Sequence, residues 1–207
     1  MRVQKLNNDV GGLCSGINLQ TVRDDSEINL IYQALCQHGL LVFPEQELGG
    51  ADLTNFMSKF NTLRPRTVIE KTLEGFPHVV ILSNIKENGE AIGHQPAKDI
   101  ECHFDGSGVE TKHLATCLYG VEIPKQGGDT LFANGYLALN ALPPALSTQI
   151  KSLDITYSLL YRVTYTHLTL PTIIRVYNYK VTCLILKLIR YTTLSTLVIA
   201  THRFFVP

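Results

Sequence analysis

A histidine and an aspartate separated by one residue are the part of this sequence best suited to metal chemistry. His103 and Asp105 lie in the segment ECHFDGSG (101–108). If the segment is a strand, the two side chains point to one face, because side chains alternate along a strand. An imidazole and a carboxylate, completed by a distant histidine, form the facial site that holds Fe(II) with open coordination positions. Chance alone gives about 0.3 such pairs from this composition, so the spacing by itself is only a hypothesis.

The flanking residues and a glycine-rich segment leave alternatives open. Cys102 and Phe104 alternate with the candidate ligands, so we expect both side chains to pack on the opposite face of the strand. Cys102 is therefore a weaker candidate for a metal ligand than His103 or Asp105. The segment GGDT (127–130) permits a tight turn that would carry Thr130 toward a metal site. Taken alone, it favours a simple hairpin turn with a threonine at the start of a strand.

The elements that would position these residues are predicted from hydrophobic spacing. The first part of the chain indicates α/β structure: a helix over 26–38 with Asp25 or Ser26 as N-cap and Gly39 as C-cap, a strand over 40–44 and a helix over 50–63. The middle is predicted to be mainly β, with strands over 79–84, 113–123 and 129–134 and a turn over 87–90. Two short helices are predicted from Gly135 onward, the second starting near Pro144.

Composition predicts a folded domain without an obvious charged partner. The chain has 207 residues, 45% of them hydrophobic, and its 18 basic and 18 acidic residues cancel. This balance disfavours nucleic acid or an anionic membrane as a partner and favours a small-molecule substrate. With no secretory signal pattern and no long apolar run, we expect a cytoplasmic protein. The five cysteines lack paired spacing, so we expect reduced thiols.

Several blocks of the sequence, taken in order, resemble the TauD/TfdA family of Fe(II)- and 2-oxoglutarate-dependent dioxygenases. These blocks lie within residues 3–153 and are GGLCSGINL, HGLLVFPEQ, LTNFMSKFNTL, VVILSNIKENG, HFDGS and PKQGGDTLFANGYLALNALP. The most specific feature is the spacing of 27 residues from His103 to Thr130. This spacing also argues against another interpretation, a cupin-type metal hydrolase or isomerase that would use the same strand geometry.

The resemblance implies a site, a fold and a reaction. It makes His103 and Asp105 the first two iron ligands and Thr130 a residue that hydrogen-bonds 2-oxoglutarate. The implied fold is an α/β N-terminal part leading into a mainly antiparallel double-stranded β-helix (jelly roll, cupin-like) that is incomplete at the C-terminus. The implied reaction couples oxygen and 2-oxoglutarate to hydroxylation of a small organic acid. Asn84 and the loop 86–100 resemble the segment that covers the substrate, whose identity the sequence does not indicate.

The other histidines share no ligand spacing, and no position matches the family's third iron ligand. His38 ends a predicted helix, where a cation complements the helix dipole, while His78, His94 and His113 are expected at the surface or in turns. The distal candidates, His167 and His202, lie too close to His103 for the family's spacing. The family's arginine for 2-oxoglutarate has no assignable position either. Activity of this chain therefore stays open, and a truncated, non-catalytic relative is the alternative.

The chain changes character near residue 154. Residues 1–154 hold all the acidic residues, and residues 155–207 have six basic residues but no acidic residue and no glycine. We therefore predict a dioxygenase domain portion over 1–154 and a tail, 155–207, of out-of-frame or foreign sequence that has no partner sheet. A β-rich or membrane-surface segment is the alternative interpretation of the tail. The oligomeric state is not predicted.

Overall fold

The structure is a computed structural model that describes most of the chain. It describes residues 1–6, 10–60, 63, 71–94, 114–124, 126–127, 129–151 and 195–200, with the backbone alone for residues 151 and 195–200. The nine strands in these ranges are β1 (Arg2–Lys5), β2 (Gly12–Ser15), β3 (Leu40–Phe43), β4 (Thr72–Leu73), β5 (Phe76–Val80), β6 (Lys86–Glu87), β7 (Glu90–Ala91), β8 (Ala115–Gly120) and β9 (Ser195–Ala200). The four helices there are α1 (Asp25–His38), α2 (Gly50–Ser58), α3 (Gly135–Asn140) and α4 (Pro144–Lys151). None of these described helices has the length and apolarity that a membrane crossing needs.

Local signals at both ends set the limits of α1. Its N-cap is Asp24, one residue before the predicted position, and the Asp24 carboxylate accepts a hydrogen bond from the Ser26 N–H at 3.0 Å. Gly39 is the C-cap, as predicted, and its φ of 70° is the left-handed conformation that glycine adopts without strain. The helix buries Ile28, Ile31, Ala34 and Leu35. This spacing of three and four residues gives α1 one apolar face.

The Asp24 cap predicts a specific effect of pH on stability. The hydrogen bonds from the Ser26 backbone and hydroxyl hold the pKa of Asp24 below its usual value. A lowered folded-state pKa contributes stability that is present above the unfolded pKa and lost as pH falls through the folded pKa. We expect Asp24→Asn, which keeps a cap acceptor but cannot ionise, to be less stable than wild type at pH 7. The difference in urea midpoint should shrink on acidification toward pH 3.

Asp25→Asn removes the same charge from the next residue without touching the cap, and it is the matched control. Its difference from wild type should depend less on pH than that of Asp24→Asn. Equal pH dependence for the two variants would show that general charge near the helix terminus, rather than the Asp24 cap, is responsible.

The largest sheet brings strands from distant parts of the chain together. Its order is β1-β2-β3-β9-β8, with β1 antiparallel to β2. The other three pairings, β2 with β3, β3 with β9 and β9 with β8, are parallel. The α/β opening is confirmed, but this described sheet differs from the mainly antiparallel arrangement expected. The alternation of side chains is the same in both kinds of strand, so sequence pattern does not report strand direction.

Strand β3 lies at the centre of the packing, because both of its faces are covered. Leu41 and Phe43 belong to the main core, together with the apolar face of α1 and residues of α2. Leu40 and Val42 lie on the other face of the sheet, where Phe132 packs against them. A strand buried on both faces has a continuous apolar sequence, as LLVF does.

Two other predictions about strands are wrong. Residues 129–134 have no strand pairing, although a strand was predicted there. The tail was expected to lack a partner sheet, yet β9 pairs with β3 on one side and β8 on the other. Both errors have one physical cause, since a strand depends on hydrogen-bonding partners that are remote in sequence.

A predicted turn and a predicted helix start are confirmed by the structure. The turn at 87–90 connects β6 to β7 as a hairpin, and both central residues have positive φ, 52° at Asn88 and 85° at Gly89. This is the backbone conformation that an Asn-Gly turn favours. Pro144 is the first residue of α4, where its missing N–H leaves no helical hydrogen bond unmade.

Candidate functional site

The predicted site is only partly within the described ranges. Thr130 is described and exposed to solvent. His103 and Asp105, together with Cys102 and Phe104, lie outside the described residues. The structure therefore gives the surroundings of Thr130.

The segment that carries Thr130 follows a turn and is held by contacts of the residues that come after Thr130. Gly127 has a φ of 76°, which is consistent with the tight turn predicted there. Phe132 packs against Leu40 and Val42 on the outer face of β3. Asn134 caps α3, its side-chain oxygen accepting hydrogen bonds from the backbone of Tyr136 at 3.0 Å and of Leu137 at 3.2 Å. An irregular segment thus takes its position from the sheet and from α3.

A buried glutamine side chain joins the segment of residues 17–19 to the turn after β3. Gln46 is 8% exposed, and its Oε1 accepts a hydrogen bond from the Leu19 N–H at 2.9 Å. Its Nε2 donates to the carbonyls of Ile17 at 3.2 Å and Pro44 at 3.1 Å. Burying this amide is favourable only because both of its ends are hydrogen-bonded. The buried role of Gln46 was not predicted, although a glutamine next to an apolar strand was the available signal.

Tyr119 links β8 to the same turn. Its hydroxyl donates to the Gln46 carbonyl at 3.3 Å and accepts from the Leu48 N–H at 3.0 Å. This contact attaches β8 to the turn that follows β3.

We expect Gln46→Ala to lower the free energy of unfolding by about 1–3 kcal/mol, because the buried Leu19 N–H loses its acceptor. Urea denaturation followed by circular dichroism measures the change. Gln20→Ala is the matched control, since the exposed Gln20 side chain makes one long contact of 3.3 Å to Asp52. A loss no larger than that of the control would contradict the role assigned to Gln46.

The described histidines do not form a metal site. His38 ends α1, as predicted, and His94 is exposed. The expectation of a surface or turn position is wrong for His78, which is half-buried in β5 and has a buried Nδ1 without a hydrogen-bond partner. The apolar neighbours Val79 and Val80 were the signal for a strand there. Among the residues that the structure describes, no group of three His, Cys, Asp or Glu side chains could hold a metal ion.

The described cysteines are free thiols with different exposure. Burial raises the pKa of Cys14 and of Cys117 to about 12, so neither forms a thiolate readily at neutral pH. Cys36 is exposed on α1, and its interaction with Tyr32 raises the pKa of that phenol through a hydrogen bond and through charge. These three cysteines form no disulfide within the described part of the chain, and the reduced state of the cysteines stays a prediction.

The region expected to cover the substrate is described only in part. Asn84 is exposed, and the residues that follow form the β6–β7 hairpin, most of it exposed as well. The polypeptide returns to the fold at Gly93, which is buried with the Ile81 carbonyl and the Ser83 N–H close to where a Cβ would lie. A side chain at this position would collide with backbone, so Gly93 permits the close approach of the two segments.

Comparison with known proteins identifies the family. The family described as Taurine catabolism dioxygenase TauD, TfdA family matches residues 2–186. The chain belongs to this family of dioxygenases, as the sequence blocks predicted. The match continues past residue 154, although the boundary predicted there is not tested by it.

Individual relatives are between a quarter and a third identical to this chain over the aligned residues. Pentalenolactone F synthase of Streptomyces avermitilis is 30% identical over 72% of this chain and 50% of its own length. The (S)-phenoxypropionate/alpha-ketoglutarate-dioxygenase of Delftia acidovorans is 26% identical over 73% of this chain and 52% of its own length. The chain thus spans about half the length of these relatives. A solved structure described as an alpha-ketoglutarate-dependent taurine dioxygenase, from Burkholderia xenovorans, is 25% identical and covers 37% of this chain and 27% of its own, with a TM-score of 0.35.

Proposed function

We propose that this protein is an Fe(II)- and 2-oxoglutarate-dependent dioxygenase that hydroxylates a small organic acid. The observation that carries the proposal is the family match over residues 2–186. A relative whose name includes alpha-ketoglutarate-dioxygenase supports 2-oxoglutarate as the cosubstrate. The proposed fold around the site is the double-stranded β-helix of the family.

The proposed iron ligands are His103 and Asp105. A neutral imidazole and a carboxylate suit Fe(II), and the open positions of such a site admit cosubstrate and oxygen. When bound, the iron supplies the activation of oxygen, and the protein's share is to hold the ligands and orient the substrate. His103 and Asp105 are residue types that bind iron, but the facial site needs one more histidine. His167 and His202 are the remaining candidates in the tail, and neither has the family's spacing.

The proposed role of Thr130 is to donate a hydrogen bond from its hydroxyl to a carboxylate of 2-oxoglutarate. Its solvent exposure leaves the hydroxyl accessible to a ligand. The packing of Phe132 under β3 restrains the segment two residues away. Restraint of this kind lowers the entropy cost of ligand binding.

The names of the relatives support a small organic acid as the substrate class. One relative is named for phenoxypropionate, which is a carboxylic acid, and another is named an alkylsulfatase. Both names denote a small molecule with an anionic group. The exposed hairpin around Lys86 and Asn88 is our proposed part of the substrate cover, in keeping with the family resemblance of loop 86–100.

Formation of succinate from 2-oxoglutarate tests this function directly. Purified full-length protein would be incubated aerobically with Fe(II), ascorbate and 2-oxoglutarate, and succinate would be quantified with and without candidate acids. We expect turnover that requires both Fe(II) and oxygen and that rises with a suitable substrate. His202→Ala and His167→Ala, assayed in parallel, identify a third ligand if either variant loses this turnover.

The alternative is a non-catalytic relative that keeps part of the fold. It is favoured by one observation, the lack of a distal histidine and arginine at the family's spacing in residues 155–207. Iron held by two protein ligands should bind weakly, because the facial geometry is not enforced. Absence of Fe(II)-dependent succinate formation, in protein that is folded by circular dichroism, would select this alternative.

The boundary near residue 154 stays a prediction. Sequencing of the transcript or the genomic locus across codons 145–215 tests it. A frame change that restores acids, glycines and a downstream His and Arg would make residues 155–207 foreign to the native enzyme. A frame confirmed as written would instead favour the non-catalytic relative.

A further inference from the structure

The β6–β7 hairpin is joined to the rest of the fold at a base that is hydrogen-bonded on two sides. The segment of residues 81–83 follows β5 and leads into the hairpin. On one side, the Ile81 N–H donates to the Lys71 carbonyl at 2.9 Å. On the other side, the His94 N–H donates to the Ile81 carbonyl at 2.7 Å, and the Ser83 N–H donates to the His94 carbonyl at 3.2 Å. The hairpin therefore begins and ends in a hydrogen-bonded layer.

Gly93 brings the returning limb of the hairpin against this layer. The residue is buried, and a Cβ added to it would lie 2.7 Å from the Ile81 carbonyl oxygen and 2.9 Å from the Ser83 nitrogen. Both neighbours are backbone atoms, so a rotation of a side chain would not make room for a larger residue. Close packing of backbone against backbone leaves little space in which the hairpin could swing about its base.

Lys71 adds a contact from its side chain to the hairpin. Its ammonium group donates a hydrogen bond to the carbonyl of Ala91 in β7. Within the hairpin, the Ile92 N–H donates to the Ile85 carbonyl at 3.1 Å. Hydrogen-bonded and non-hydrogen-bonded pairs alternate in antiparallel strands, so the next pair, Lys86 with Ala91, directs its backbone groups outward. Lys71 thus binds an acceptor that β6 does not use.

From these contacts we propose that the β6–β7 hairpin is a rigid arm, fixed by Gly93 and Lys71, that forms a preformed wall beside the substrate rather than a lid that opens and closes. The rigidity follows from the contacts at the base alone. The position beside a substrate rests on the proposed function, in which this hairpin is part of the substrate cover. A preformed wall binds a substrate without the entropy cost of ordering a loop, so Lys71 is a positioning residue.

Hydrogen–deuterium exchange of the full-length wild-type protein tests whether the arm is rigid. The amides of Ser83 and His94 donate the hydrogen bonds of the base, and a swing of the hairpin about this base has to break them. We expect both amides to exchange at least about 100-fold more slowly than in an unstructured peptide, because only a local opening exposes them to solvent. Exchange of both amides at nearly the rate of the peptide would overturn the proposal.

Gly93→Ala tests the close approach of the two segments. The added Cβ displaces backbone, so the exchange rates of the Ser83 and His94 amides should rise at least about tenfold. Gly49→Ala is the matched control, since a Cβ there meets only the Asp52 carboxylate oxygen, at 3.6 Å. The control should leave both exchange rates unchanged. Equal rates in the two variants would overturn the role of Gly93, and if Gly93→Ala does not fold, the wild-type rates and the Lys71 variants still decide.

Lys71→Met removes the ammonium group and keeps a long unbranched side chain. The exchange rates of the hairpin amides should rise about three- to fivefold, the effect expected of one exposed charged contact. Lys71→Arg can still donate to the Ala91 carbonyl and should restore the wild-type rates. Lys59→Met removes the same charge from the exposed C-cap of α2 and is the matched control. Equal rates in Lys71→Met and Lys59→Met would overturn the role of Lys71.

Kinetics separate the wall from the proposed function. The probes are phenoxypropionate and an alkyl sulfate, after the names of two relatives. For a probe that increases succinate formation, Lys71→Met should raise KM at least about threefold and leave kcat within about twofold, because the wall contributes to binding rather than to chemistry. Lys71→Arg should restore KM. An unchanged KM in Lys71→Met would overturn the wall. If neither probe increases succinate formation, the proposed substrate class fails, and the exchange rates still decide whether the arm is rigid.

Discussion

Asp105→Asn is expected to reduce Fe(II)-dependent succinate formation by more than about 100-fold, since loss of even an outer-sphere partner of a metal site costs about 10–100-fold. The physical reason is that asparagine keeps the size of the side chain but removes the negative charge that binds Fe(II). Quantified succinate under saturating 2-oxoglutarate measures the effect. Isothermal titration with Fe(II) under anaerobic conditions should show weaker binding by at least about tenfold.

The matched control for Asp105 is Asp25→Asn. It makes the same change of charge on the exposed first turn of α1, away from the proposed ligands in the sequence. We expect the control to keep the wild-type rate. If Asp105→Asn keeps the turnover and the iron affinity of the wild type, Asp105 is ruled out as a ligand. If the wild-type protein is folded but has no turnover, the non-catalytic relative is favoured.

Phe56→Ala is expected to lower the free energy of unfolding by about 3–5 kcal/mol. Phe56 is 2% exposed and lies between two other aromatic rings. Its ring centroid is 6.5 Å from that of Phe43 and 5.2 Å from that of Phe60, with both pairs in edge-to-face geometry. Truncation therefore removes buried area and two favourable ring contacts and leaves a cavity. Urea unfolding monitored by circular dichroism gives the value.

The control for Phe56 is Leu30→Ala, because Leu30 is 54% exposed on α1. Its cost should stay within about 0.5 kcal/mol, as is usual for surface substitutions. If Phe56→Ala is too unstable to study, Phe56→Leu should cost less and remain measurable, because it conserves more of the volume. A similar small cost for Phe56→Ala and Leu30→Ala would contradict the central place of Phe56 in the core.

Local features of the fold were predictable from neighbouring residues. The periodicity of α1, its C-cap at Gly39 and the Asn-Gly turn after β6 all depend on backbone conformations that a few adjacent residues decide. The N-cap was displaced by one residue because Asp24, Asp25 and Ser26 are all suitable caps. Only the backbone conformation and the hydrogen bond to Ser26 distinguish Asp24.

The family was predictable from the sequence, whereas the chemistry of the candidate site stays a prediction. The residue types and spacing of His103, Asp105 and Thr130 suggested an iron site, and the surrounding sequence blocks predicted the family that the comparison shows. The position of Thr130 depends instead on Phe132, whose contacts with β3 join residues about 90 positions apart in sequence. Such a contact produces no periodic pattern of hydrophobic residues in either segment.

The amino-acid order alone was sufficient for the family, the two N-terminal helices and the apolar character of β3. Tertiary structure decided that β9 lies between β3 and β8 and that residues 129–134 pack without becoming a strand. It also decided that the amide of Gln46 is buried with its hydrogen bonds made. Helix caps and turns are stabilised by groups a few residues away, whereas sheet order and buried polar contacts depend on partners that only the folded chain brings together.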